Sequence, residues 1–301
     1  MEHVYCTVLS RQRLYQAIAL ISSMHENIGN FLLYTLCVDD NVFELLRKMK
    51  LKGVETVRAD ALILPRLSEF KDKYRLNEFC WMLKPVFLDH LFTVNPALER
   101  ITYIDADLFF WSDPSVIFTA QPQSPVLLSG CEVKMPFYPR SLVARLQEMM
   151  GRYNSGFISF RNAPEGRLCL NWWKDRCLES CVDKPWDGEC GDQKYLDEFP
   201  ALFPGVSEIA TPGVNIGHWN NAHCDFYLHK RRIYIGGSRL ICYHFSGFRI
   251  VDKNTIVQVY ESNRTDLPFF YRIYNHMLKE SIDVVTKTDP GFDGFAIEDE
   301  V

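Results

Sequence analysis

The sequence predicts an α/β protein with a Rossmann-like, mostly parallel central sheet and helices on both faces. Three observations carry that expectation. Short apolar runs rich in β-branched and aromatic residues alternate with longer stretches whose apolar positions recur at helical spacing. Acidic residues gather where those runs end, as in Asp39-Asp40 and Asp105-Ala106-Asp107, and open α/β sheets bind ligands beyond the carboxyl ends of their strands. A chain of 301 residues with 47% hydrophobic content also suffices for the two-sided core such a sheet needs.

The elements follow in order. Val4 to Leu9 is an opening strand, and Arg11 to His25 a helix with Leu14, Ala17, Ile18, Ile21 and Met24 on one face. Phe31 to Val38 is a second strand; Asn41 and Glu44 form a capping box for a helix through Met49, and Val54 to Arg58 is a third strand. The pattern from Phe70 to Phe92 is helical with a break or kink near Lys84-Pro85, because proline lacks the donor a helix interior needs. A strand then delivers Asp105 and Asp107. Val126 to Ser129 and Phe157 to Phe160 are strands, the latter entered through a turn at Asn154-Ser155-Gly156; Ser141 to Met150 and Pro164 to Glu179 are helices, with Trp172 and Trp173 in the core. Asp192 to Phe199 is a short helix, and short strands follow near Val206 to Ile209, Arg232 to Ile235 and Leu240 to Tyr243. Thr255 to Glu280 is expected to be helical, interrupted near Asn263 to Pro268, and the acidic, glycine-punctuated end from Asp289 to Val301 to be mobile.

Composition narrows the function. A formal net charge of −5 argues against a nucleic-acid partner. No basic leader and no apolar run of about 18 residues is present, so the expected location is cytoplasmic, with room for peripheral contact at a membrane. The ten cysteines are scattered through strands and helices, and reduced thiols are the expectation. Cys169, Cys177, Cys181 and Cys190 lack the paired spacing of a zinc site and are assigned to helix packing.

Asp105 and Asp107 are the sharpest chemical signal. In an extended chain, side chains two residues apart point the same way, so both carboxylates can meet one hard cation. The competing reading has Asp107 cap the turn into Asp113-Pro114. His244 is either a core histidine or a metal ligand. Asp39 and Asp40 suit helix capping as well as ligand contact. Lys84 is a solvated charge or a site residue; Asn154 and Ser155 start a turn or line a pocket; Asp192 and Gln193 cap a helix or fix polar groups of a ligand. Asn215 is placed on a ligand-facing surface, with Trp219 beside it a stacking face or a packing residue.

Read in order, Cys6-Thr7 closing the first strand, Asp39-Asp40, Tyr103-Ile104-Asp105-Ala106-Asp107, Asn154-Ser155-Gly156-Phe157, Gly191-Asp192-Gln193 and His244-Phe245-Ser246-Gly247 form a pattern. It resembles glycosyltransferases of the A-type fold, especially the retaining, galactosyltransferase- and glycogenin-like bacterial sugar transferases. The group's histidine motif continues to a lysine, where this chain has Phe248-Arg249-Ile250, so Arg249 brings its charge one residue out of register.

The resemblance implies a glycosyltransferase domain over residues 1–250 and a helical extension with its acidic tail over 251–301. It implies a UDP-sugar donor, Mn²⁺ or Mg²⁺ held by Asp105, Asp107 and His244, and transfer with retention to a glycan, lipid-linked or protein acceptor, as in polysaccharide biosynthesis. It assigns donor contacts to Cys6, Thr7, Asp39, Asp40, Lys84, Asp105, Ala106, Asp107, Ser155, Gly247 and Arg249, and catalytic positions to Asp192, Gln193, Asn154 and Lys84. Two rival readings are a metal-dependent nucleotidyltransferase or phosphohydrolase, and a silent binding module of the same fold. Against the first, Leu108-Phe109 follows the acid pair where a phosphatase of the D-x-D-x-T type carries a hydroxyl, and Ser10-Arg11-Gln12-Arg13 lacks the glycines of a pyrophosphorylase loop.

Overall fold

The computed structural model describes residues 3–62, 64–259 and 268–296. The chain opens β1 (His3–Leu9), α1 (Leu14–Asn27), β2 (Phe31–Cys37), α2 (Asp40–Met49) and β3 (Val54–Arg58). It continues through α3 (Leu67–Lys73), α4 (Leu76–Val94), β4 (Arg100–Ile104), β5 (Leu108–Phe110) and α5 (Ser115–Ala120). Then come β6 (Val126–Gly130), α6 (Arg140–Met150), β7 (Tyr153–Arg161), α7 (Pro164–Glu179), α8 (Phe199–Leu202), β8 (Val206–Glu208) and α9 (Phe270–Thr288).

Seven strands form the central sheet in the order β3-β2-β1-β4-β7-β6-β8. All neighbouring pairs are parallel except β4 with β7 and β6 with β7, so β7 is the one reversed strand. Alternation along β1 builds the two cores: Tyr5 and Leu9 join α1 and α9 on one face, Cys6 and Val8 join α4 on the other. Each fully buried leucine or phenylalanine in these layers contributes roughly 1.5–3 kcal/mol.

Several expectations are corrected. The helical break lies at Tyr74-Arg75, where the Glu78 side chain accepts from the Arg75 backbone, and α4 runs unbroken through Pro85. Phe79, Met82, Leu83, Phe87 and Leu88 around it are buried, and their packing outweighs the roughly 3 kcal/mol a helix-interior proline costs. No capping box forms at Asn41: α2 starts at Asp40, the Asn41 side chain accepts from the next backbone N–H, and Glu44 faces Arg58. Asn154, Ser155 and Gly156 lie inside β7, where its register with β6 shifts between Leu128 and Ser129, so the turn-forming residues make a strand irregularity. Ile256–Gln258 is a strand paired with Phe248–Ile250, because Asp252 Oδ1 accepts from the Asn254 and Thr255 N–H groups and closes a hairpin turn. Most of the interruption near Asn263 lies outside the described residues. The near part of the tail is packed: Phe292 and Phe295 sit on Tyr15 at 5.9 and 5.3 Å, and the Ala296 N–H donates to Ile250 O at 2.8 Å. All ten cysteines are free thiols.

Candidate active site

β4 ends at Ile104, and the turn that follows is held at three points. The Asp105 N–H donates to Gly156 O, the Leu108 N–H to Asp105 O, and the Phe245 N–H to Asp107 O. The strand Cys242–His244 pairs antiparallel with β5, setting His244 opposite Leu108. That register brings the imidazole to the acid pair: His244 Nε2 lies 3.0 Å from Asp107 Oδ1 and 3.8 Å from Asp105 Oδ2. One ligand atom from each of the three residues falls within 4.8 Å of the others, at the carboxyl edge of the sheet.

The ring is held from behind by a chain of amides. Asn215 Nδ2 donates to Ser129 Oγ and Asn154 Oδ1, both at 2.8 Å, which turns Asn215 Oδ1 toward His244 Nδ1 at 3.0 Å. Nδ1 is thereby assigned as donor to Asn215 Oδ1, and Nε2 is the nitrogen turned to the carboxylates. Asn154 Nδ2 donates in turn to Gln193 Oε1 at 2.8 Å, and Gln193 Nε2 to Met150 O at 2.7 Å. Asn215 is wholly buried with φ 53°, so it backs the histidine and does not line an acceptor surface. Gly156 is required here for close approach: a Cβ would lie 2.5 Å from His244 Cε1. Trp219 packs edge-on to His244 at 5.4 Å.

Lys84 is no solvated charge. It is 2% exposed, with Nζ 3.2 Å from Asp105 Oδ1, 3.3 Å from Asp192 Oδ2 and 3.1 Å from Ser155 Oγ. Burial opposes its charge, but the Asp105 and Asp192 carboxylates together raise its pKa above the ordinary lysine value. Burial, with Asp105 nearby, raises Asp192 although Lys84 pulls the other way. Asp192 Oδ2 is buried against Lys84 Nζ; the Asp192 backbone carbonyl accepts from Trp173 Nε1. Burial also opposes ionisation of Asp107, yet His244, Arg13 and Arg249 hold its pKa well below the usual carboxylate range. Arg13 Nη1 stands 3.8 Å from Asp107 Oδ2 at the start of α1. Sequence reading passed over Arg13; its signal was a basic residue between the first strand and the first helix, where α/β sheets take up phosphate.

Asp39 and Asp40 face a cleft of about 660 Å³ beyond β2 and β3, lined also by Arg11, Arg58, Asp60 and Phe79. Asp39 Oδ2 accepts from the Arg11 N–H at 2.7 Å, and Arg58 pairs with Asp40 at 2.6 Å. Cys6 and Thr7 are a correction: β1 runs on to Leu9, so both stand inside the strand and are wholly buried, and the strand's open end is Leu9-Ser10-Arg11. Ala106 is buried in the turn between the two acids. Gly247 takes φ 90° after the histidine strand, and its carbonyl accepts from the Val259 N–H. Arg249 Nη1 donates to Phe248 O.

No helix among the described residues is long and apolar enough to cross a membrane. No protein-family model matches the chain. It is 46% identical to the uncharacterised protein YfnF of Bacillus subtilis (strain 168), covering all of this chain and 99% of that one. It is 32% identical to YfnD of the same organism, covering 97% and 94%. Among solved structures, the galactosyltransferase LgtC in complex with donor and acceptor sugar analogues superposes with a TM-score of 0.51 at 11% identity, over 90% of this chain and 99% of that one. The bifunctional glycosyltransferase WbbM superposes with a TM-score of 0.51 at 12% identity, over 96% of this chain and 52% of that one. The fold is therefore the A-type glycosyltransferase fold, and by its identity to both Bacillus proteins over nearly their whole length the chain belongs to the YfnF and YfnD family.

Proposed function

We propose that the protein is a metal-dependent glycosyltransferase that moves a sugar from a UDP-sugar, with retention, onto a glycan, lipid-linked or protein acceptor, as in cytoplasmic steps of polysaccharide assembly. The observation that carries this reading is the convergence of Asp105, Asp107 and His244 Nε2 at the carboxyl edge of an A-type sheet. Two carboxylates and an imidazole whose other nitrogen is already hydrogen-bonded form a donor set suited to Mn²⁺ or Mg²⁺. Such an ion, when bound, supplies Lewis acidity to the diphosphate.

The chain's own residues account for the rest. Arg13, Arg249 and the amino end of α1 present positive charge to a diphosphate leaving group. Lys84, clamped between Asp105 and Asp192, fixes both carboxylates, and Asp192, ion-paired to it, is the carboxylate assigned to a donor-sugar hydroxyl. Ser155 holds Lys84, while Asn154 and Gln193 hold the histidine through Asn215. The cleft beside Asp39 and Asp40 is the place for the nucleoside. Transfer needs no protein base: the acceptor oxygen bonds to the anomeric carbon as the bond to phosphate breaks, and the acceptor proton passes to the departing phosphate.

The test is UDP release from a panel of UDP-sugars with Mn²⁺ and candidate acceptors, with the product anomer read by NMR. Release that requires metal and is lost in Asp107→Ala supports the reading. Failure of every donor to yield UDP, together with unchanged nucleotide binding by Asp107→Ala, ends it; release of pyrophosphate or inorganic phosphate would replace it with the rival chemistry.

A further inference from the structure

From Phe226 to Val251 the chain contains no acidic residue, while Lys230, Arg231, Arg232, Arg239 and Arg249 place five cations there in a protein of net charge −5. Four of the five stand on one element. Phe226–His229, Arg232–Ile235 and Ser238–Arg239 form a small antiparallel sheet whose first turn is Lys230-Arg231, both at positive φ. Cross-strand pairing sorts its faces. Phe226 and Ile233 face the core, the first packing on Phe270 at 4.9 Å and the second 4% exposed. Tyr227, Tyr234, His229, Arg232 and Arg239 share the outer face. The two tyrosine rings stack at 5.3 Å, and His229 meets Tyr234 edge-on. Leu228 shares the face of Phe226 and Ile233, stands next to the turn and is 61% exposed. Arg58 and Arg75 elsewhere are paired with carboxylates, whereas none of these four cations has a carboxylate partner among the described residues.

We propose that this hairpin docks the protein on a bilayer surface rich in anionic lipid. Cations in the turn and on the outer face answer headgroup phosphates. Tyrosines suit the boundary where one end of a ring is apolar and the other wet. The exposed leucine decides among polyanions: a nucleic acid or an acidic glycan would engage the arginines but gain nothing from Leu228, whereas a bilayer gives it an acyl boundary to enter. Charge with an apolar anchor is the combination that peripheral attachment requires. The hairpin is tied to the body by Leu240 N–H to Ile233 O at 2.9 Å and Ile241 N–H to Gly213 O at 2.8 Å, and its exit runs straight into His244. Docking would therefore hold the acid and histidine centre near the lipid surface. None of this depends on the proposed transferase activity.

The full-length protein should co-sediment with vesicles containing phosphatidylglycerol and not with pure phosphatidylcholine vesicles, and high salt should release it. Removing three charges by Lys230→Asn, Arg231→Gly and Arg232→Thr should weaken the partition about a hundredfold, at about fivefold per cation. Asn-Gly is the preferred pair for such a turn, so the fold is kept. Leu228→Ser should weaken vesicle binding while leaving heparin binding unchanged. The proposal is overturned if wild type stays in the supernatant with anionic vesicles at low salt, if both variants bind vesicles like wild type, or if single-stranded RNA binds more tightly than the vesicles. Should the triple variant unfold, Leu228→Ser and the salt titration still decide.

Discussion

Asp105, Asp107 and Asp192 sit in a buried web of charges, whereas Asp39 and Asp40, two strands away along the same edge, face an open cleft and pair with groups that water also reaches. The Asp107 side chain is 11% exposed and the Asp40 side chain 79%. A buried carboxylate without a partner costs several kcal/mol, so each partner in the centre is obligatory. An exposed pair contributes about 0–1 kcal/mol and can open for a ligand without penalty. The centre is built to hold one arrangement; the cleft is built to exchange partners.

The largest effect should come from the centre. Asp107→Ala should abolish Mn²⁺-dependent UDP binding in calorimetry and lower transfer by about a thousandfold or more, the scale of several kcal/mol of charge stabilisation. Asp40→Ala should leave metal binding intact and weaken UDP by less than about tenfold. Equal losses in the two variants would erase the distinction.

Lys84→Met removes the cation between two buried carboxylates, and the expected cost is about 3–5 kcal/mol in chemical denaturation. Adding Asp192→Asn should recover much of that loss, because the remaining repulsion between Asp105 and Asp192 disappears. Strict additivity of the two substitutions would mean that they do not share the web.

Asn215→Gly keeps the left-handed backbone at φ 53° and deletes the amide that orients His244. Mn²⁺ affinity should fall about 10–100-fold, with the imidazole tautomer shifting in ¹⁵N NMR spectra. An unchanged tautomer would show that the ring is held by packing against Trp219 alone.

The same contrast explains what could be read in advance. The acid pair and His244 were legible because strand patterns and short motifs place them at the sheet edge without knowledge of their neighbours. Asn215, Ser129 and Gly156 were not, since their roles arise from a junction of β6, β7 and a distant loop that no local pattern records. Local propensity misled wherever packing prevailed. Pro85 is tolerated inside α4 by its buried neighbours, and Asn154-Ser155-Gly156 is drawn into β7 despite its turn composition. Thr255 leads into the strand Ile256–Gln258 because Asp252 closes the turn that Thr255 ends.

Acid should expose a smaller difference. Burial, with the His244 imidazole nearby, lowers His218 to about 4. The unfolded chain takes up that proton near the ordinary value of about 6.5, so it binds more protons than the folded state across the interval. Stability should then fall as pH drops from about 6.5 toward about 4, by on the order of 2 kcal/mol. His218→Gln should flatten that segment of the melting-temperature profile, while Asp40→Asn should leave it unchanged. A wild-type slope retained in His218→Gln would assign the acid sensitivity to another group.

Arg58→Ala should have the smallest effect of the set. Its guanidinium reaches Asp40 at 2.6 Å and Asp60 at 3.4 Å, but its side chain is 37% exposed and those of its partners 79% and 71%. Water therefore replaces most of what the substitution removes, and the expected loss is below about 1 kcal/mol and shrinks further in salt. The cation stacked over Phe43 at 5.2 Å adds little at an exposed site. A loss of several kcal/mol in thermal unfolding would mean that the cleft is as rigidly wired as the centre, and nucleotide entry would then require breaking structure and not merely displacing water.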